Sequence, residues 1–140
     1  MPNILNDLSK KERNIYVACL LFILNLNKKQ NKNNDYVLSR IKDLGLDESI
    51  LDKVKKISSE EDVYKLINTI SNVKARRYIL REMILVAISN HELTDDEVAT
   101  IYNIGLHVGI KTEKINDFFL WAAKGLEWEI EGIQLIEGDL

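Results

Sequence analysis

A chain of 140 residues is long enough for one domain with a buried core and too short for two independent domains. Its 46% hydrophobic and 29% charged residues argue against a disordered chain, and its single cysteine excludes an internal disulfide framework. The net charge is −3, of which residues 124–140 carry −4 from one lysine and five acids. The rest of the chain therefore carries +1, which gives no electrostatic case for nucleic-acid binding.

The first predicted element is a helix that begins near residue 10. One proline, at position 2, and six glycines leave long stretches without helix breakers, which predicts an all-α fold. Ser9 and Glu12 have the spacing of a capping box, which marks a helix start. The apolar run 15–24 is shorter than the roughly 20 residues of a membrane span. It contains Cys19, predicted to be a buried, inert thiol of a cytoplasmic protein.

The next predicted elements are a loop and three short helices. Residues 27–34 form a polar loop rich in asparagine and lysine. A helix is predicted over about 35–44, with Gly45 at its end. Asp47 is expected to cap a third helix, and Ser59 to precede a fourth that has acids in its first turn.

The second half of the chain repeats this order of elements. Asn72 is predicted to cap a long helix over about 73–90. Thr94 and Glu97 form a second capping box, and the helix that it opens is expected to stop at Gly109.

The last predicted elements are a helix from Thr112 to near Gly125 and an acidic tail over 126–140. Apolar residues alternate with glutamates at the start of the tail, as in a strand, but Leu126, Ile130 and Ile133 also have helical spacing. Both interpretations stay open. Apolar residues this dense should dock on the body or on a partner, and the body is the favoured place.

A shift of 64 residues aligns the two parts of the chain. It superimposes apolar positions and places Gly45 on Gly109. The alignment predicts a compact bundle of about seven to eight helices in two pseudo-repeated halves, about 10–58 and 73–124, within a single domain over 1–125.

The two-half layout and the segment from Tyr64 to Ile110 resemble the TerB-like (tellurite-resistance protein B-like) helical domain family. The matching positions are Arg76, Arg77, Tyr78, Met83–Ile88, Ser89–Glu97, Gly109 and Ile110. The resemblance implies a compact bacterial bundle linked to stress or tellurite resistance, with acidic loop residues proposed to bind a divalent metal. This chain departs from the family at its Asp-Gly pair, where Asn90 and His91 stand.

The loop before the second capping box is the candidate metal site. Calcium-like cations prefer six or more oxygen ligands, several of them carboxylates. The loop offers Asn90, Glu92, Asp95, Asp96 and Glu97. The same acids can instead cap the helix and favour its positive end without any ion, and this structural interpretation is preferred.

The candidate interaction residues are two arginines and two tryptophans. Arg77 and Arg81 are helical neighbours that form a basic stripe, while Trp121 and Trp128 would be interface anchors if exposed. The alternatives are a solvated helix face and core aromatics.

The sequence predicts no enzyme. Nothing assembles a nucleophile with its base, and the glycines are too isolated for a phosphate loop. We therefore expect a non-catalytic, cytoplasmic bacterial TerB-like module for protein–protein interaction or self-association, in a stress response and without a cofactor. The alternative is a divalent-cation-binding module that uses the loop from Asn90 to Glu97.

Overall fold

The chain folds into α-helices. The computed structural model describes residues 8–26, 39, 42, 57, 59–88 and 93–138. Within these residues there is no strand, and the all-α prediction is confirmed. The helices are α1 (Lys10–Leu26), α2 (Glu60–Asn68), α3 (Val73–Ile88), α4 (Asp95–His107) and α5 (Thr112–Glu137). The predicted loop 27–34, the predicted helix 35–44 with Gly45, and the helix start at Asp47 lie outside the described residues, apart from isolated positions.

The helix starts predicted at Ser9, Ser59 and Asn72 are confirmed by their side-chain caps. The Ser9 amide donates to Glu12 Oε1 at 2.9 Å and the Glu12 amide donates to Ser9 Oγ at 3.2 Å, which is the predicted capping box of α1. The Ser59 hydroxyl accepts from the amide three residues later at the start of α2. Asn72 Oδ1 accepts from the Lys74 amide at 2.9 Å at the start of α3.

The core lies where α1 and α3 pack against each other. Both helices begin with polar, exposed turns and are then buried along most of their length, from Ile15 in α1 and from Tyr78 in α3. α2, α4 and α5 cover them. The largest side chains that are fully buried are Tyr16, Leu20, Ile23, Ile67, Ile79, Leu80, Met83, Ile84, Ile101, Ile104 and Ile115.

A glycine sets the distance between α4 and α5. A Cβ atom at Gly105 would lie 2.6 Å from Ile115 Cδ1 and 3.2 Å from Leu80 Cδ2. Because real atoms do not approach so closely, only glycine lets α5 lie this near to α4 without a shift in its neighbours.

Arg76 ties the ends of α2 and α4 to the start of α3. Its guanidinium donates to the carbonyl oxygens of Ile70, Asn68 and Val108, the last two at 3.1 and 3.2 Å. These carbonyls lie at or just beyond helix ends, where helical partners are missing. α4 ends beside them as predicted, with Gly109 at φ +85°.

Helix α5 is longer than predicted. The expected end near Gly125 is wrong, because the helix continues to Glu137 and includes most of the predicted tail. One glycine costs a helix about 1 kcal/mol, which a long helix of leucine, isoleucine, glutamate and tryptophan tolerates. At 26 residues α5 is about 39 Å long, against about 24 Å for the 16 residues of α3. Even so, none of the helices described is both long and apolar enough to cross a membrane.

Candidate functional site

An open groove of about 220 Å³ lies between the first turns of α3 and α5. Two aromatic rings, Tyr78 and Phe118, supply its apolar wall, and four cationic side chains surround them. These are Lys74, Arg77, Arg81 and Lys114. The groove therefore combines an apolar surface with positive charge, although the body as a whole is nearly neutral.

Arg81 joins this groove to the middle of α5. Its guanidinium carbon lies 4.9 Å from the ring centroid of Tyr78 and 5.1 Å from that of Trp121. Both distances are within the range of cation–π attraction. Three of the four predicted interaction residues, Arg77, Arg81 and Trp121, therefore lie at one place.

Arg81 forms an ion pair with a buried glutamate. Glu82 is completely buried, and its Oε2 lies 3.5 Å from Arg81 Nη2. Its Oε1 accepts a hydrogen bond from the hydroxyl of Tyr16 at 3.0 Å and lies 3.5 Å from that of Tyr78. The two tyrosine rings stack with their centroids 5.7 Å apart. The carboxylate thus fixes the arginine and both rings.

Sequence reasoning missed this glutamate. The signal is its position, since Glu82 falls three and four residues from Ile79 and Tyr78 and so within the apolar face of α3. A charged side chain at such a position is expected to have a buried partner.

The distal half of α5 exposes large apolar side chains. The exposed fraction is 79% for Trp128, 82% for Leu135 and 85% for Ile136. The prediction that the tail docks on the body is therefore wrong for these side chains, and no residue of α5 after Ala122 is buried. Trp128 lies seven residues, about 10.5 Å along the axis, beyond Trp121, and on the same side of the helix.

We use the term α5 face for the side of α5 that carries an apolar row beginning at the groove. Its members follow one another at intervals of three, seven and seven residues, which keeps them on one side of a helix. They are Phe118, Trp121, Trp128 and Leu135. Trp121 is half-exposed, at 49%.

The predicted metal segment is only partly described. Asn90 and Glu92 lie outside the described residues. Asp95 and Asp96 are exposed in the first turn of α4, whereas Glu97 is completely buried. Within the described ranges, no three His, Cys, Asp or Glu side chains gather as ligands for an ion.

The carboxylate of Glu97 belongs to a capping box. Its Oε1 accepts from the Thr94 hydroxyl at 3.0 Å and from the Thr94 amide at 3.3 Å. The Glu97 amide donates in return to Thr94 Oγ1 at 3.1 Å. The predicted capping box is confirmed, and at least one oxygen of this acid serves the helix end.

Comparison with known proteins adds no identity to these observations. No family model, no curated protein and no solved structure matches the chain. The resemblance to TerB-like domains therefore stays a prediction from the sequence, and the function has to be argued from the geometry.

Proposed function

We propose that this chain is a non-catalytic helical module that binds a protein partner through the α5 face. The observation that carries the proposal is the exposure of Trp128 and Leu135, at 79% and 82%, on a regular helix. Water around such large apolar side chains is unfavourable by about 25 cal/mol for each Å² of apolar surface. A partner that covers them gains this free energy.

The composition of the face fits protein recognition. Tryptophan and arginine are the residues that most often dominate the binding energy of protein interfaces, and they do so beside apolar pockets. Here Trp121 lies under Arg81, and Trp128 follows on the same side of the helix. Charged residues at the rim, such as Glu129 and Lys114, would set the orientation of the partner.

The proposal can be tested by affinity capture with the full chain. Trp128→Ala/Leu135→Ala removes most of the exposed apolar surface of the face. Leu106→Ala is the matched control, because Leu106 is 50% exposed on α4 and lies off the face. We expect a protein from the cells that make this chain to bind the wild type and the control, and not the double variant. Identical binding by all three proteins would refute the proposal.

The finer parts of the sequence prediction remain proposals. We propose a cytoplasmic, TerB-like module from a bacterial stress response, built from about seven to eight helices in two halves. In support, α1 and α3 begin 63 residues apart and pack against each other, close to the predicted shift of 64. The predicted counterparts of α4 in the first half lie outside the described residues.

A divalent-cation site in the segment from Asn90 to Glu97 is the alternative. Asp95 and Asp96 support this alternative, because their carboxylates are exposed at the start of α4. The hydrogen bond between Thr94 and Glu97 favours the cap instead, because it occupies the carboxylate of Glu97.

A further inference from the structure

The α5 face has opposite charge at its two ends. Arg77 and Lys114 border the groove at the near end, beside Arg81. Beyond Trp128 the far end has acids on both sides of the apolar row, Glu129 on one flank and Glu131 on the other, by their helical spacing. No lysine or arginine follows residue 124 in the sequence. The near end also carries the exposed acids Glu113 and Asp117, which the four cations of the groove outnumber, and the exposed Lys124 lies between the two tryptophans of the row. On balance the surface is therefore basic at the near end and acidic at the far end.

Such a surface is complementary to itself when two copies run in opposite directions. A twofold axis near the middle of α5 places the acidic end of each copy on the basic end of the other, because the same patch serves both partners in a twofold interface. A parallel arrangement would instead oppose like charges, which is costly at an interface.

The dimensions of α5 agree with this arrangement. Residues 112–125, which begin beside the groove, span about 21 Å, and residues 126–137 span about 18 Å. Two antiparallel helices that cross near Ala123, close to this midpoint, place Glu129 and Glu131 of one copy opposite residues 115–117 of the other, between Lys114 and Phe118.

Two glycines leave room for a second helix. A Cβ atom at Gly125 or Gly132 would meet nothing within 4 Å, so the chain's own packing does not require glycine at either position. Both lie seven residues apart beside Trp121 and Trp128. A glycine inside a helix costs about 1 kcal/mol relative to alanine. Close approach of a second helix backbone would explain why glycine occupies these two positions, since the fold of a single chain does not require it there.

We propose that the α5 face binds the α5 face of a second copy of this chain, antiparallel, with Glu129 and Glu131 of each copy on the basic groove of the other. The inference rests on the proposed function, because it names the partner of the same face. Arg77 and Lys114 are the contacts of the groove that the proposal tests.

Charge exchange tests the pairing directly. The basic-end variant is Arg77→Glu/Lys114→Glu, and the acidic-end variant is Glu129→Lys/Glu131→Lys. Neither should harm the fold, because all four side chains are exposed on helix surfaces, where substitutions usually change stability by less than about 0.5 kcal/mol. Lys10→Glu/Lys11→Glu on α1 is the control with the same change of net charge as the basic-end variant.

Sedimentation equilibrium supplies the measurement. For the wild type and the control we expect a dimer of twice 16.2 kDa. Each charge variant alone should dissociate at least tenfold more readily, a loss of about 1.4 kcal/mol, and an equimolar mixture of the two should dimerise within about threefold of the wild type. Weakening by each variant alone is the signature of antiparallel pairing, because a parallel pair opposes like ends in the wild type and in each variant. Restoration in the mixture then shows that the loss is electrostatic.

Two results would overturn the inference. One is a wild-type chain that stays monomeric up to roughly 500 µM, which corresponds to binding weaker than about 4.5 kcal/mol. The other is a dimer that neither charge variant weakens. In both cases the proposed function would still stand if capture of another protein depended on Trp128 and Leu135, so the two failures are distinguishable.

A glycine variant gives a second, independent readout. Gly125→Ala/Gly132→Ala should raise the free energy of unfolding of the monomer by up to about 1 kcal/mol per site, since alanine favours the helix. The same variant should weaken the dimer by obstructing the approach of the second backbone. Unchanged or tighter dimerisation would contradict the proposed contact.

Discussion

Arg81 and Arg77 both lie on the basic side of α3, but they differ in their surroundings. The Arg81 guanidinium lies 3.5 Å from the buried carboxylate of Glu82, whereas Arg77 is exposed at the rim of the groove. Removing one partner of a buried ion pair leaves a charge without compensation, at a cost of roughly 3–5 kcal/mol. The Arg81 side chain is 32% exposed, so water moderates this cost.

We therefore predict that Arg81→Met lowers the free energy of unfolding by about 2–3 kcal/mol. The matched variant Arg77→Met should lower it by less than about 0.5 kcal/mol, as is usual for surface positions. Urea denaturation followed by circular dichroism measures both. In a Glu82→Gln background the penalty for Arg81→Met should shrink, because no buried charge remains to be compensated. Equal losses for the two arginine variants would show that Glu82 does not depend on Arg81.

The burial of Cys19 predicts that the folded protein loses stability at alkaline pH. The thiol is completely buried, and desolvation raises its pKa far above the ordinary value of 9.0. Above pH 9.0 the unfolded chain loses this proton while the folded chain keeps it. Stability is therefore fully present below pH 9.0 and falls as the pH rises towards the folded pKa, by about 1.4 kcal/mol per pH unit.

The variant Cys19→Ala isolates this effect, since it removes the thiol and leaves every other titrating group in place. Between about pH 8 and about pH 10 the wild type should lose roughly 1 kcal/mol more stability than the variant. Parallel stability curves over this range would mean that the thiol ionises in the folded chain as easily as in the unfolded one.

At the level of the helix, the capping box of α4 gives a structural role to Glu97, one of the acids that also suggested a metal site. Thr94→Ala removes the acceptor of the Glu97 amide and one of the donors to its carboxylate. The expected loss of unfolding free energy is about 1 kcal/mol, typical of an N-cap. Thermal or urea denaturation checks it. A loss near zero would indicate that the carboxylate has another partner in the native protein.

The same helix start gives the test of the metal alternative. If Glu97 and Thr94 form a cap and nothing more, the melting temperature should not change between EDTA and millimolar calcium, magnesium, manganese or zinc. A cation that binds only the folded state at 100 times its dissociation constant would add about 2.7 kcal/mol. A rise in melting temperature with any of these ions, lost in Asp95→Asn/Asp96→Asn, would favour the metal site.

The helix starts were predictable because their signals are local. Ser9 with Glu12, and Thr94 with Glu97, satisfy one another within four residues, so no knowledge of the fold is needed. The end of α5 was not predictable in the same way. A glycine at position 125 is compatible with the end of the helix or with its continuation. Which of the two occurs depends on the next twelve residues.

For the molecule as a whole, the fold class followed from the absence of breakers, whereas the site depended on contacts between distant segments. Arg81 meets Trp121 across 40 residues of sequence, and Glu82 meets Tyr16 across 66. Neither pairing can be predicted from the hydrophobic periodicity of the sequence. The tryptophans were singled out by residue type as anchors if exposed, whereas their exposure depends on the tertiary packing of α5.

The separation of charge between body and tail is also a property of the whole molecule. A net of −4 in residues 124–140 and +1 elsewhere favours association between unlike ends of two chains over association between like ends. Because exposed charges are screened over about 8 Å at physiological ionic strength, this preference weakens as salt is added.

Hydrogen exchange of the α5 amides tests most directly whether its exposed half is a binding surface. In dilute protein the amides of residues 126–137 should exchange far faster than those of buried α3, because little tertiary packing holds the distal half closed. As the concentration rises, we predict that these amides become protected while those of α1 stay unchanged. Protection that is already complete in dilute protein would show that the tail is held by its own body. Rapid exchange at every concentration, with or without captured partner protein, would contradict binding at this face.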